Sequence, residues 1–189
     1  FGQLANLVTF HGPMLTSDVA GDDFEELSAK MFEQLFEPKT LTYDESISKL
    51  EVLSDGVATA EIVGGNLSLL ANGIGTKFEV ETSGKMLLIE DINEEPYRVD
   101  CMLNQLRQAN KLDVVAGVVI GDFADAKPKG DKPSLTLEEV LDDYFKDRPY
   151  PVMKGFKIGH CQPHFAIPLG VEAELDTRNK VLRLAPGVE

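Results

Sequence analysis

The sequence predicts an α/β domain built on a mixed sheet. Two continuous apolar runs, Met86 to Ile89 and Val114 to Ile120, have the composition of strands buried on both faces. Between them a helical stripe recurs at Val99, Met102, Leu103 and Leu106. Short alternating segments flank this middle on both sides. Hairpin-like antiparallel strands are thereby added to an alternating helix–strand centre.

Taken in order, Leu7 to His11 predicts a short strand ended by Gly12-Pro13. Asp22 and Asp23 open an amphipathic helix whose apolar positions are Phe24, Leu27, Met31, Phe32 and Leu35, and Pro38 stops it. Leu50 to Leu53 and Ala58 to Val63 flank Ser54-Asp55-Gly56 and read as a hairpin. Gly64-Gly65-Asn66 reads as a tight turn, or as a cradle for an anion, before a short helix from Leu67 that Asn72-Gly73 closes. The helix at 96–110 has proline in its first turn, where a missing N–H costs nothing. Gly121-Asp122-Phe123 ends the second buried strand, and Lys127 to Lys132 is a polar loop. Thr136 caps a helix through Phe145, with Glu138 and Glu139 in its first turns. Val152-Met153 begins another strand. Three short segments, 165–168, 171–175 and 181–184, read as a closing meander.

At 189 residues, 43% hydrophobic and 26% charged, the chain has the size and composition of one soluble globular domain with an arm. Eighteen basic against thirty-two acidic residues give a net charge of -14, which argues against nucleic acid and anionic membrane surfaces as partners. No apolar run approaches the roughly 20 residues that span a bilayer. Cys101 and Cys161 are too few for a disulfide framework and read as reduced thiols. The first residues lack the features of a signal peptide. Residues 1–20 read as an arm that connects to a preceding domain, and residues 21–189 as the domain itself.

Two residues carry candidate chemistry. Glu90 closes the first buried strand, where active sites of α/β sheets gather. His160 sits in the turn Gly159-His160-Cys161-Gln162-Pro163. A histidine paired with a carboxylate can act as general base and orienter for a nucleophile. Each also has a plain reading: Glu90 as a solvated carboxylate opening an acidic loop, His160 as an exposed or structural imidazole. His160, His164 and Glu90 could be drawn as a metal site, but the spacing is not that of a helix face that binds zinc. Cys161 is poorly placed to be activated by its own neighbour, because adjacent residues on an extended turn point different ways. No serine sits in a G-x-S-x-G turn.

Five segments in order are similar to one family: Phe10-His11-Gly12-Pro13-Met14, Gly64-Gly65-Asn66-Leu67-Ser68-Leu69-Leu70, Leu88-Ile89-Glu90-Asp91-Ile92-Asn93-Glu94, Tyr97-Arg98-Val99-Asp100 and Gly159-His160. Together they resemble the LD-carboxypeptidase A family of serine peptidases, which includes the microcin immunity peptidases. The resemblance covers essentially the whole chain. It implies the carboxy-terminal domain with its connecting segment, of a swivelling β/β/α-like fold, without the flavodoxin-like domain that carries the nucleophilic serine and oxyanion donors. It implies catalytic Glu90 and His160, and no metal or organic cofactor. Ser17 and Ser68 do not match the nucleophile position. The absence of tryptophan points to the murein-peptide branch, in which terminal D-Ala is cut from murein tetrapeptides, rather than to the microcin-immunity branch. The resemblance further implies a homodimer, a cytoplasmic location and, for this chain alone, no activity. The alternative from another class is a non-catalytic domain that binds peptidoglycan peptides or pairs with another chain.

Overall fold

The computed structural model describes residues 2–20, 24–130 and 133–189. Phe1 and the expected helix-opening residues Asp22 and Asp23 lie outside the described residues, as do Asp131 and Lys132 of the polar loop. The chain order is α1 (Gly2–Ala5), β1 (Thr9–His11), a π-helical turn (Leu15–Val19), α2 (Glu26–Lys30), a 3-10 turn (Met31–Leu35), β2 (Leu41–Tyr43), β3 (Glu51–Ser54), β4 (Val57–Asn66) and α3 (Leu67–Gly73). It continues through β5 (Met86–Ile92), α4 (Pro96–Gln108), β6 (Gly117–Ala124), α5 (Leu137–Phe145), β7 (Val152–Lys154), β8 (Ile167–Leu169), β9 (Glu172–Asp176) and β10 (Val181–Leu184). The mixed α/β class is as the sequence predicts.

Eight strands form one sheet in the order β2-β10-β9-β4-β5-β6-β7-β3. Strands β4 to β7 are mutually parallel, and the other pairings are antiparallel. The strand β5 is central and buried from Met86 to Asp91. Its side chains alternate between two cores, as a pleated strand requires. Met86 and Leu88 join Tyr43, Phe156 and Phe165 on one face. Leu87 and Ile89 join Leu67, Leu103 and Val140, from α3, α4 and α5, on the other. The sheet is therefore covered by helices on one side and encloses a core on the opposite side.

The expected hairpin between β3 and β4 does not form. Both edges of β4 are taken, by β9 and by β5, and β3 pairs with β7 at the end of the sheet. In a flat sheet, strands four places apart would lie about 19 Å from one another. The link through Asp55 and Gly56 spans at most about 11 Å. The sheet must curl to bring its end strand back beside β4. Alternation identified both strands but carried no information about partners.

Three other expectations change. The closing meander reduces to the β9–β10 hairpin, because β8 leaves the large sheet and pairs antiparallel with β1. This pairing also places the arm, with His11 opposite Ile167, on the domain of its own chain, although Leu4 and Leu7 remain exposed. The segment Gly64-Gly65-Asn66 is neither a turn nor an anion cradle but the end of β4. Gly64 has φ of 122°, and a Cβ there would stand 2.1 Å from the Leu88 carbonyl oxygen. Glycine lets β4 lie against β5 at this point. Finally, β6 starts later and runs further than expected, through Gly121, Asp122 and Phe123.

The helix ends follow the sequence closely. The Thr136 hydroxyl accepts from the Glu139 amide, and the Glu139 carboxylate accepts from the Thr136 amide, a reciprocal cap on α5. Its exposed site makes the effect local. Thr136→Ala is expected to lower stability by about 1 kcal/mol in urea denaturation; an unchanged midpoint would show that α5 is held by Val140, Leu141 and Phe145 alone.

Candidate active site

Because β4 to β7 are parallel, their carboxyl ends come together along one side of the sheet. They bring Asn66, Glu90, Asp91 and Asp122 alongside the loop that follows β7. Asn66 is the register partner of Glu90. At Glu90 the β5–β6 ladder shifts: Ile89 faces Ile120, but Asp91 faces Phe123, so one residue on β5 opposes Gly121 and Asp122 on β6. Such bulges re-aim side chains and often border active sites.

Glu90 is 1% exposed. The plain reading as a solvated loop carboxylate is thereby removed. Burial, chiefly, and the neighbouring Asp91 push its carboxyl up to about 7, with Asp122 adding to the rise and the Asn66 side chain opposing it. By alternation Glu90 shares the face of Leu88, away from the helices. Asp91 turns to the helix side, where it accepts from Asn66 Nδ2 at 3.0 Å, from the Ser68 amide at 2.9 Å and from Ser68 Oγ at 2.7 Å. This network fixes the start of α3 and occupies the Ser68 hydroxyl.

The loop after β7 reaches Glu90 at Gly159. A Cβ on Gly159 would stand 2.7 Å from Glu90 Oε2, and φ is 123°. Only a residue without a side chain lets this backbone lie on the carboxylate. His160 leaves the chain at the next position and is half-buried. The loop is tied to β6 through the Asp122 amide, which donates to the Ile158 carbonyl at 2.8 Å. Burial raises the Asp122 carboxyl, while Lys157, at 3.8 Å, and His160 hold it down.

The three histidines of the chain converge here. His11 Nε2 stands 3.7 Å from Glu90 Oε1. The His11 and His164 rings lie 6.0 Å apart between centroids. Burial lowers the pKa of His11, with His160 as the second cause. His164 falls to about 4, mainly by burial, with His11 and His160 both opposing a further positive charge and Asp18 favouring it. Among the described residues, the imidazole nearest the Glu90 carboxylate is that of His11; no hydrogen bond joins Glu90 to His160, and Glu90 Oε2 has no hydrogen-bond partner. In the sequence His11 lies in the arm of residues 1–20, far from Glu90 and His160. Its signal was the Phe10 to Met14 motif, and its placement needed the β1–β8 pairing.

The thiol of Cys161 is pushed up to about 12 by burial, with Asp122 the next cause, which leaves a thiolate scarce at neutral pH. Among the described residues, no group of three or more His, Cys, Asp or Glu is arranged to hold a metal ion. No described helix is long and apolar enough to cross a membrane.

The family described as the LD-carboxypeptidase C-terminal domain matches residues 59–175. This chain belongs to the LD-carboxypeptidase family. Its matched region holds most of β4, all of β5 to β7, Glu90 and His160. The probable murein peptide carboxypeptidase of Bacillus subtilis (strain 168) is 47% identical over 186 residues, covering 98% of this chain and 58% of that protein. The crystal structure of muramoyltetrapeptide carboxypeptidase from Oxalobacter formigenes superposes with a TM-score of 0.76 at 28% identity, covering 94% of this chain and 60% of that one. The microcin C7 self-immunity protein MccF of Escherichia coli is 29% identical over 128 residues, covering 66% of this chain and 36% of that protein. The present LD-carboxypeptidase domain thus spans less than two thirds of the length of each.

Proposed function

We propose that this chain is the carboxy-terminal part of a serine LD-carboxypeptidase that removes terminal D-Ala from murein tetrapeptides, and that it supplies Glu90 and His160. The observation that carries this reading is the buried Glu90 with the backbone of Gly159, the residue before His160, packed on its carboxylate. A buried carboxylate beside an imidazole turn serves as an orienter and counter-charge. The identity to the Bacillus protein named for murein peptides supports the substrate class.

In this mechanism His160 takes the proton of a serine hydroxyl as its oxygen attacks the scissile carbonyl carbon. Glu90 fixes the imidazole tautomer and stabilises the imidazolium. His160 then passes the proton to the departing D-Ala amine, and water releases the acyl group by the same base. The serine and oxyanion donors belong to an amino-terminal domain beyond this chain, to which residues 1–20 connect. The assembled enzyme is a cytoplasmic homodimer that recycles peptidoglycan and needs neither metal nor organic cofactor.

The test is D-Ala release from murein tetrapeptide by the full-length protein and by this chain alone. Turnover is expected only from the former, because members of a catalytic triad act as a unit and the oxyanion donors are absent as well. Turnover by the chain alone, abolished by His160→Ala, would place the nucleophile within these residues and overturn the assignment.

A further inference from the structure

The Glu90 carboxylate meets a different neighbour at each oxygen. Oε2 lies under the Gly159 backbone, and Oε1 looks toward His11 Nε2 at 3.7 Å. That separation is too long for a hydrogen bond and too short to admit a water between the two atoms. Among the described residues, His11 Nε2 and Glu90 Oε2 are buried without a hydrogen-bond partner, as is Nε2 of the neighbouring His164. Unpaired buried polar atoms are costly, and one of these, His11 Nε2, faces Glu90 Oε1.

We propose that His11 is the positioning residue for Glu90: delivered by the arm strand, its Nε2–H donates to Oε1 and leaves Oε2 free to engage His160. This inference rests on the Glu90–His160 reading above.

The placement of His11 is built rather than incidental. The β1–β8 ladder sets His11 opposite Ile167. On one flank stands the His164 ring, and a Cβ on Gly65 would stand 3.6 Å from His11 Nδ1. The His164 amide is itself pinned, donating to Ser28 Oγ at 2.8 Å. An imidazole held on several sides can hold a carboxylate, provided it carries a proton on the facing nitrogen. Burial disfavours the charged form of His11, so the interaction is that of a neutral N–H donor with a carboxylate, not an ion pair. Catalytic hydrogen bonds commonly shorten when the reacting groups assemble.

The physical need is clear from the surroundings of Glu90. Asp91 on its own strand and Asp122 on β6 both disfavour its charged form. Around it stand His11 on β1, His160 on the loop after β7 and His164 beside His11, while the Lys157 cation lies 3.8 Å from Asp122. A donor on Oε1 favours the carboxylate over the acid, and only the carboxylate can stabilise an imidazolium. His11 therefore couples the position of the arm to the competence of the pair.

The test uses the full-length protein with murein tetrapeptide and compares His11→Phe and His11→Gln, with Glu90→Gln and His160→Ala as references. Phenylalanine keeps the ring and loses the donor; the glutamine amide nitrogen reaches about as far as Nε2. His11→Phe is expected to lower kcat by about tenfold to a hundredfold with KM unchanged, the range of a hydrogen bond to a charged group. The acid limb of its kcat/KM profile is expected to move to higher pH. His11→Gln is expected to recover most of the loss. Wild-type kcat and pH profile in His11→Phe, with both reference variants silent, would overturn the role of His11 alone. Turnover by Glu90→Gln or His160→Ala would overturn the underlying reading and this inference with it. Should His11→Phe fail to fold, nitrogen-15 spectra of the unsubstituted chain decide: a proton on His11 Nε2 whose resonance shifts in Glu90→Gln is expected, and the Nδ1–H tautomer overturns the proposal.

Discussion

Glu90→Gln and His160→Ala, each made in the full-length protein, are expected to lower kcat on murein tetrapeptide by about 10⁴-fold or more, with little change in KM. The size follows from the roles. Losing the imidazole removes the base for attack and the acid for departure of D-Ala. Converting the buried acid to an amide removes the countercharge and can present the wrong tautomer to the nucleophile. The double variant is expected to be hardly worse than either single one, because the two groups act through the same step. Additive losses in the double variant, or a loss confined to KM, would show that the residues bind substrate and do not form a catalytic pair. Unfolding midpoints measured alongside separate a chemical loss from a structural one.

Glu90→Gln is also expected to change how stability depends on pH, by about 3 kcal/mol across the window from 4.5 to 7. The carboxyl is raised from its ordinary 4.5 to about 7 in the folded chain. Between those values the folded state holds a proton on Glu90 that the unfolded state has released. Its contribution is therefore fully present below pH 4.5 and is lost as pH rises through about 7. The span corresponds to about 3 kcal/mol. His164 works in the opposite sense: lowered from 6.5 to about 4, it stabilises the fold above 6.5 and loses that contribution as pH falls toward 4. From pH 4.5 to 6.5 the folded pair carries one proton, on Glu90, and the unfolded pair carries one, on His164. Their two dependences nearly cancel in the unsubstituted chain. Removing Glu90 exposes the His164 slope, so the stability of Glu90→Gln relative to the parent is expected to rise steadily with pH. Urea denaturation at intervals of pH measures this directly. A difference between the two proteins that stays constant with pH would mean that Glu90 is ionised throughout, and that solvent or a cation reaches it.

Much of this was legible along the chain. The helix at 96–108 could be read because proline at its start and the stripe of Val99, Met102, Leu103 and Leu106 are local signals. The same holds for α5, where Thr136 and Glu139 cap one another over three residues. Strand β5 could be read as buried on both faces because nothing polar interrupts Met86 to Ile89. That Glu90 directly follows this apolar run, and that Gly159 precedes His160, was likewise written in the order of residues.

The tertiary structure decided what joins to what. The alternation of β3 and β4 suited a hairpin as well as it suited two strands four places apart in the order of a curled sheet, because a pleat encodes a face and not a partner. The same ambiguity hid β8, whose few residues fit a meander but pair with the arm. His11 joined the site only through that pairing. The titration of Glu90 was equally invisible, because it depends on burial and on Asp91 and Asp122 meeting at one end of the parallel strands. Local sequence determines which backbone each segment prefers, since those preferences act over a few residues. Partners, proximity and desolvation arise between residues far apart in the chain, and only the assembled, curled sheet brings them to a distance at which they act.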